Sequence, residues 1–313
     1  MRLGMLVDAA CDLPRAFIAQ NPIRVLPIPL RVGDRELVDV RDEEDTKAFS
    51  QRILAARITD AQIQPYTEDQ LEALFLERLV LDFDYVICLT IAAQRSPIFE
   101  RAQKFSFQIL TKYKPLRQSA GMPGPFAMRV FDSRNMFAAQ GVQVMELARL
   151  IRADTPVMRI FRRMEEIIPE TYGYIVPSDL HYLHARERQH GDRSMGFIGY
   201  RLGNALDVKP IACCFRGETR SVARVRHFAA AAERVFANVT REIERGLLVP
   251  FVNLSYGGDW TALAQLPGFV ALTRAASVRG VEVHWSHLSM TAGVNVGPGA
   301  LTVGIVAQPH QFI

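Results

Sequence analysis

Cysteine is scarce in this chain, four residues among 313. Cys11 and Cys88 stand apart, while Cys213 and Cys214 are neighbours in an apolar run, and no Cys-x-x-Cys spacing occurs. That excludes a zinc knuckle and a redox dithiol. Long apolar stretches are missing too. None approaches the ~18 residues a membrane span requires, and the N-terminus runs directly into a short strand carrying Asp8, without a signal-peptide apolar region. No transmembrane segment is expected, and a cytoplasmic, reducing location is. Charge of one sign is also lacking. The formal net charge of +4 is small for this length, and the densest basic cluster, Arg159, Arg162 and Arg163, reads as a solvated helix face. No nucleic-acid partner is therefore expected. A Gly-x-Ser-x-Gly nucleophile elbow is absent as well.

What is present fits a soluble globular protein: 49% of residues are hydrophobic and 22% charged. A chain of 313 residues exceeds one ordinary core, so two domains are expected. Short apolar runs at Leu3–Val7, Val25–Pro29, Tyr85–Leu89 and Met128–Phe131 read as buried strands. They alternate with helical patterns at Thr46–Ala56, Glu68–Leu81, Ser96–Leu110 and Phe137–Arg152, with Thr67 as a helix cap. Such alternation predicts a parallel, helix-covered sheet. Pro115–Pro125, rich in proline and glycine, reads as a surface loop. After a further helix at Pro156–Ile168 the pattern changes. Strands are expected at Tyr172–Val176, Ile211–Phe215, Thr219–Val225, Val249–Leu254, Val281–Trp285 and Leu301–Val306, with helices at His227–Arg245 and Trp260–Val278. The fold class is thus α/β, with an N-terminal α/β domain over 1–167, a C-terminal α+β domain with a mixed sheet over 168–313, and a ligand cleft between them.

Ligands of α/β sheets sit beyond the carboxyl ends of the strands. Asp8–Pro14, Thr90–Pro97 and Asp132–Met136 begin at such ends and carry short polar residues. Facing them, Asn295-Val296-Gly297-Pro298-Gly299 makes a tight turn that brings backbone N–H groups close to an anion, or else simply links two strands. Asp8 and Asp12 suit either ligand contact or ordering of their own loop.

In order along the chain, Asp8-Ala9-Ala10-Cys11-Asp12-Leu13-Pro14, Ile28-Pro29-Leu30 with Val40-Arg41-Asp42, Phe131-Asp132-Ser133, Leu202–Ile211 and Gly297-Pro298-Gly299-Ala300 resemble the motifs of the DegV family, fatty-acid-binding proteins that include the acyl-carrier component of bacterial fatty acid kinase. The resemblance implies a long-chain fatty acid or similar amphiphile in an apolar interdomain tunnel, with no other cofactor and no metal. It also implies a non-catalytic protein that presents the acid to a separate ATP-dependent acyl kinase subunit. The matching head-group positions are Gln62, Ile63, Ala93, Ser96, Arg193, Asn295, Gly297 and Gly299. This chain departs from the family there. The Thr-Ser-Gln-Pro segment reads Gln62-Ile63-Gln64-Pro65, Ala92 and Ala93 replace serines, Ser96-Pro97-Ile98 replaces Ser-Gly-Thr, and Asn295 stands where the family has histidine. Asparagine donates hydrogen bonds but carries no imidazole proton, which counts against phosphoryl transfer onto the bound acid.

Plainer alternatives exist. Ser96 is also a helix cap ahead of Pro97. A hydrolytic enzyme on the same scaffold, with Ser96 paired to a base against acyl or phosphate esters, is the competing function. A third reading fills the pocket with Ile63 and Ile98. His181, His184 and His190 lack acidic or cysteine partners at metal-ligand spacing. His284 and His287 are expected to pack against the final strands, and Tyr256-Gly257-Gly258-Asp259 to begin a helix.

Overall fold

Continuous buried runs in β1 (Leu3–Asp8) and β6 (Tyr85–Thr90) mark strands covered on both faces. With β2 (Ile23–Leu26) and β7 (Ala127–Asp132) they form a wholly parallel sheet in the order β2-β1-β6-β7. This is a computed structural model that describes all residues except 57–59, 65, 123 and 184–206, and not the side chains of 54, 55, 77 and 78. The strand expected at Val25–Pro29 is in fact two. β2 ends at Leu26, and beyond Pro27, which has no N–H for a ladder, β3 (Ile28–Val32) joins a separate antiparallel sheet. Its order is β4-β3-β5, with β4 (Arg35–Asp39) and β5 (Ala61–Ile63).

The second large sheet is mixed, in the order β10-β9-β8-β13-β11-β12. It contains β8 (Thr171–Val176), β9 (Val208–Phe215), β10 (Glu218–Arg226), β11 (Phe251–Tyr256), β12 (Glu282–His287) and β13 (Leu301–Val306). Only β11 and β12 pair in parallel. Arg216 and Gly217, both at positive φ, close the β9–β10 hairpin. Between the two large sheets runs α6 (Phe137–Arg152), buried along nearly its whole length. It packs on β8, β11 and β13 and shares one apolar core with Met5, Val7, Ile87 and Leu89 of the parallel sheet.

The helices follow the sequence with instructive exceptions. Thr67 caps α3 (Glu68–Leu74) through a reciprocal pair with Gln70, bonds of 3.2 and 3.0 Å. The expected helix to Leu81 passes through a π-helical turn, Phe75–Leu79, into α4 (Val80–Asp82). α5 (Ile98–Ser119) continues through Pro115, so the loop expected from that proline onward starts later. Pro115 lies on the exposed face of the helix. The last turn is held by buried Arg117, which donates to the Val80 and Phe83 carbonyls at 2.7 and 2.8 Å and to Asp84 at 2.8 Å. Likewise Trp260–Val278 is two helices, α9 (Trp260–Ala264) and α10 (Pro267–Arg279), with Pro267 opening the second. The remaining α-helices of the described residues are α1 (Arg15–Gln20), α2 (Glu43–Ala56), α7 (Val157–Ile167), α8 (Phe228–Arg245) and α11 (Met290–Val296). Two of these, α1 and α11, have no counterpart in the sequence expectations.

Candidate functional site

Buried carboxylates fix the loops at the carboxyl ends of β1, β6 and β7. One Asp8 oxygen accepts from the Ile91 N–H at 2.6 Å and from Gln140 at 3.2 Å; the other accepts from the Ala10 N–H at 3.1 Å. Burial pushes its carboxyl up to about 6 despite these donors. Asp132 accepts from the Ala93 and Arg134 N–H groups at 3.1 and 2.8 Å. Asp12 reaches the other half of the chain. It meets Arg41 at 3.1 Å, the Ser255 hydroxyl at 2.5 Å and the Ser289 N–H at 3.1 Å. Burial raises its carboxyl, with Arg41 pulling the other way. Asp8 and Asp12 thus order the loops, and all the Asp12 partners named here are protein groups.

These loops, β3, β5 and α11 enclose a cavity of about 260 Å³. Its apolar lining comes from Ile28, Ile63, Ile91, Ile98, Met136 and Phe137, and its polar lining includes Ser96, Thr291, Asn295, Arg95 and Arg101. The cavity is open although Ile63 and Ile98 line it, so these side chains do not fill it. α11 is positioned by Ser289, whose hydroxyl accepts from the Ala292 N–H at 3.1 Å, and by Thr291, which binds Asp39. Asn295 lies in the last turn of that helix and not in a loop. Its Nδ2 donates to the Thr291 carbonyl at 2.8 Å, and the residue is part of the cavity lining.

Of the site residues expected from sequence, the structure brings Ile63, Ser96 and Asn295 together in this cavity. Gln62 alternates to the other face of β5, as a strand dictates, and accepts from Arg31 at 3.0 Å. Ala93 is half-buried behind the wall, its N–H occupied by Asp132. Gly297 stands at φ +93, its N–H bonded to the Gly293 carbonyl at 3.0 Å as the end of α11. A Cβ there would crowd Tyr182, and one on Gly299 would lie 2.6 Å from the Ser178 hydroxyl. The turn therefore packs against protein groups and is not among the cavity-lining residues. Arg193 lies outside the described residues, as do His184 and His190. No cluster able to hold a metal occurs among the described residues.

Ser96 accepts from the Ile98 N–H at 3.3 Å, a contact made from two residues ahead of α5, with Pro97 at the cap position between them. Among the described residues no histidine or acid is hydrogen-bonded to it, so none of them is placed as the base of a hydrolytic pair. His284 packs edge-on against Phe17 and near Phe251, and Asp259 starts α9 by accepting from the Thr261 N–H at 2.8 Å. Sequence reasoning missed Arg95, Arg101 and Thr291. An arginine in an amphipathic helix reads as a solvated face, and Thr291 lies in the unforeseen α11.

The family model described as "Uncharacterised protein, DegV family" matches residues 2–308. A DegV domain-containing protein of Xanthomonas campestris pv. campestris is 47% identical over 312 residues, covering 100% of this chain and 99% of its own. Its counterpart in Xanthomonas axonopodis pv. citri is 48% identical over the same shares. Among solved structures, the DegV lipid-binding protein of Thermotoga maritima aligns with a TM-score of 0.74 at 18% identity, over 99% of this chain and 100% of that one. DegV of Bacillus subtilis, a fatty-acid-binding protein, gives 0.73 at 19% identity over 98% and 100%. The fatty acid kinase B3 protein of Streptococcus pneumoniae, loaded with linoleic acid, gives 0.73 at 14% identity over 98% and 100%. These likenesses share the fold, a parallel sheet beside a mixed one.

Proposed function

The chain belongs to the DegV family, and from that premise we propose that it binds a long-chain fatty acid or similar amphiphile in the cavity beneath α11, with the head group near Ser96 and Asn295. The observation that carries this reading is one cavity lined both by apolar side chains and by hydroxyl, amide and guanidinium groups. Apolar lining shelters an alkyl chain from water, while hydroxyl, amide and guanidinium donors offset the desolvation of a buried anion, which otherwise costs several kcal/mol or more. Fatty-acid binding by structural relatives supports it.

The protein is read as a non-catalytic carrier. Its implied partner is a separate ATP-dependent acyl kinase subunit acting on the presented acid, a reading supported by the likeness to a fatty acid kinase B3 protein. Asn295 offers neither charge nor a titrating proton at neutral pH, so no phosphoryl-transfer step is assigned to this chain. Four free, buried cysteines and no described helix long and apolar enough to cross a membrane support placing it in the cytoplasm. Native mass spectrometry of the recombinant protein, with extraction of its lipids, tests the proposal. Bound fatty acid, or stoichiometric uptake of palmitate by stripped protein, is expected. Protein that is empty and takes up no amphiphile overturns it.

A further inference from the structure

The side chains that bound the cavity belong to the closed interior. Ile28, Ile91, Met136 and Phe137 are members of one apolar core and Leu71 of another, each no more than 8% exposed. Half-buried Ile98, in the first turn of α5, lines the cavity and packs against both cores. Protein interiors are close-packed, so this space lengthens only where one of these side chains is displaced.

An apolar cavity of about 150 Å³ takes benzene, which allots about 25 Å³ to each carbon. At that rate the cavity of about 260 Å³ holds about ten non-hydrogen atoms. Ser96 is half-buried beside exposed Pro97, on the side where the lining reaches the surface. A carboxylate standing there leaves the enclosed space to the chain, about ten carbons of it. A longer chain either pushes its carboxylate out past Ser96 or leaves carbons in water, and neither adds buried apolar area.

Resting on the fatty-acid reading above, we propose that the cavity encloses an acyl chain of medium length, about ten carbons, and that Ile98 sets this limit. A long-chain acid still binds, through the part of its chain that fits.

A homologous series tests this: octanoate, decanoate, dodecanoate, tetradecanoate and palmitate, titrated by calorimetry into the full-length protein at about pH 8, where every acid is ionised. Each enclosed methylene tightens binding about fourfold, so decanoate is expected to bind about fifteenfold more tightly than octanoate. From dodecanoate to palmitate the total gain is expected to stay below about threefold, against about two-hundredfold if all four added methylenes were enclosed. Ile98→Ala removes three carbons from the wall and is expected to move the end of the steep rise up by about two or three carbons. Ile98→Val, which removes one carbon, is expected to move it by about one at most. An Ile98→Ala protein that binds every acid more weakly by one factor, with the limit unmoved, shows that Ile98 only supports the fold and overturns the proposal. Affinity that keeps rising about fourfold per carbon through palmitate in the wild type also overturns it, while leaving the lipid reading intact. Uptake of none of the five acids overturns both.

Discussion

Thr291 and Asp39 are joined twice through one atom: the backbone N–H and the hydroxyl of Thr291 both donate to the same Asp39 oxygen, at 2.9 and 2.8 Å. The other Asp39 oxygen accepts from the Arg41 N–H at 3.2 Å. Both side chains are buried, so α11 hangs from the β3–β4 hairpin by a contact shielded from water. Thr291→Val removes one of the two bonds and is expected to lower stability by about 1 kcal/mol. Asp39→Ala strands two buried N–H groups and a hydroxyl and is expected to cost about 3 kcal/mol or more. Urea denaturation midpoints check both, and the ordering of the two variants is the discriminating result.

Asp8 sets a pH dependence. Its carboxyl stands at about 6 in the folded protein against an ordinary 3.8, because burial outweighs the bonds from Ile91, Gln140 and Ala10. Between those values the folded chain holds a proton that the unfolded chain has lost. Stability from this group is therefore fully present below about pH 3.8 and is lost as pH rises through about 6. A shift of this size corresponds to a change on the order of 3 kcal/mol. In Asp8→Asn the group no longer titrates. The stability difference between wild type and variant is expected to widen as pH falls from about 7 to about 4. A constant difference across that range refutes the assignment.

Gly257 faces the Gly-Pro-Gly turn at van der Waals contact. A Cβ at that position would overlap the Pro298 carbonyl, which is backbone and has no side-chain freedom with which to yield. Gly257→Ala must shift either the end of β11 or the turn after α11. A loss of about 2–4 kcal/mol is expected, as for other overpacked interiors, with hydrogen exchange accelerated at 297–300. A Cβ on Gly121, by contrast, meets nothing within 4 Å. Its positive φ alone makes Gly121→Ala cost about 1 kcal/mol.

Much of the frame was legible because burial and periodicity agree there. The expected bounds of the central helix Phe137–Arg152 and of the last strand Leu301–Val306 coincide with the structure, both being apolar runs with sharp ends. α11 was not legible. Met290-Thr291-Ala292-Gly293-Val294-Asn295-Val296 is poor in helix formers, and tertiary bonds from Asp39 and the Ser289 cap hold it helical. Asn295 was therefore read as a loop residue before a turn. Ser96 and Ile63 reached the cavity through family motifs and not through composition. Gln62 shows the limit of motif transfer, since one step along a strand reverses the face. Arg101 gave no signal at all, because only the Tyr66 segment folding across α5 draws it into the cavity.

Asn295 offers the sharpest test of how the head group is met. Its Nδ2 is bonded to the Thr291 carbonyl, and its carboxamide, a neutral group, is part of the cavity lining. Among the described residues, the charged side chains lining it are Arg95 and Arg101. Once the acid is ionised, palmitate affinity of the wild type is expected to stay within about twofold from about pH 6.5 to 9, because the described lining residues include no histidine, cysteine or carboxylate. Asn295→His adds a group with an ordinary pKa of about 6.5, and its protonated form attracts a carboxylate. Binding in the variant is expected to tighten several-fold as pH falls from about 8 to about 6, the opposite of what protonating the ligand alone produces. Tryptophan or probe-displacement titrations at matched ionic strength read this directly. A variant whose affinity stays as flat as the wild type places the head group away from α11.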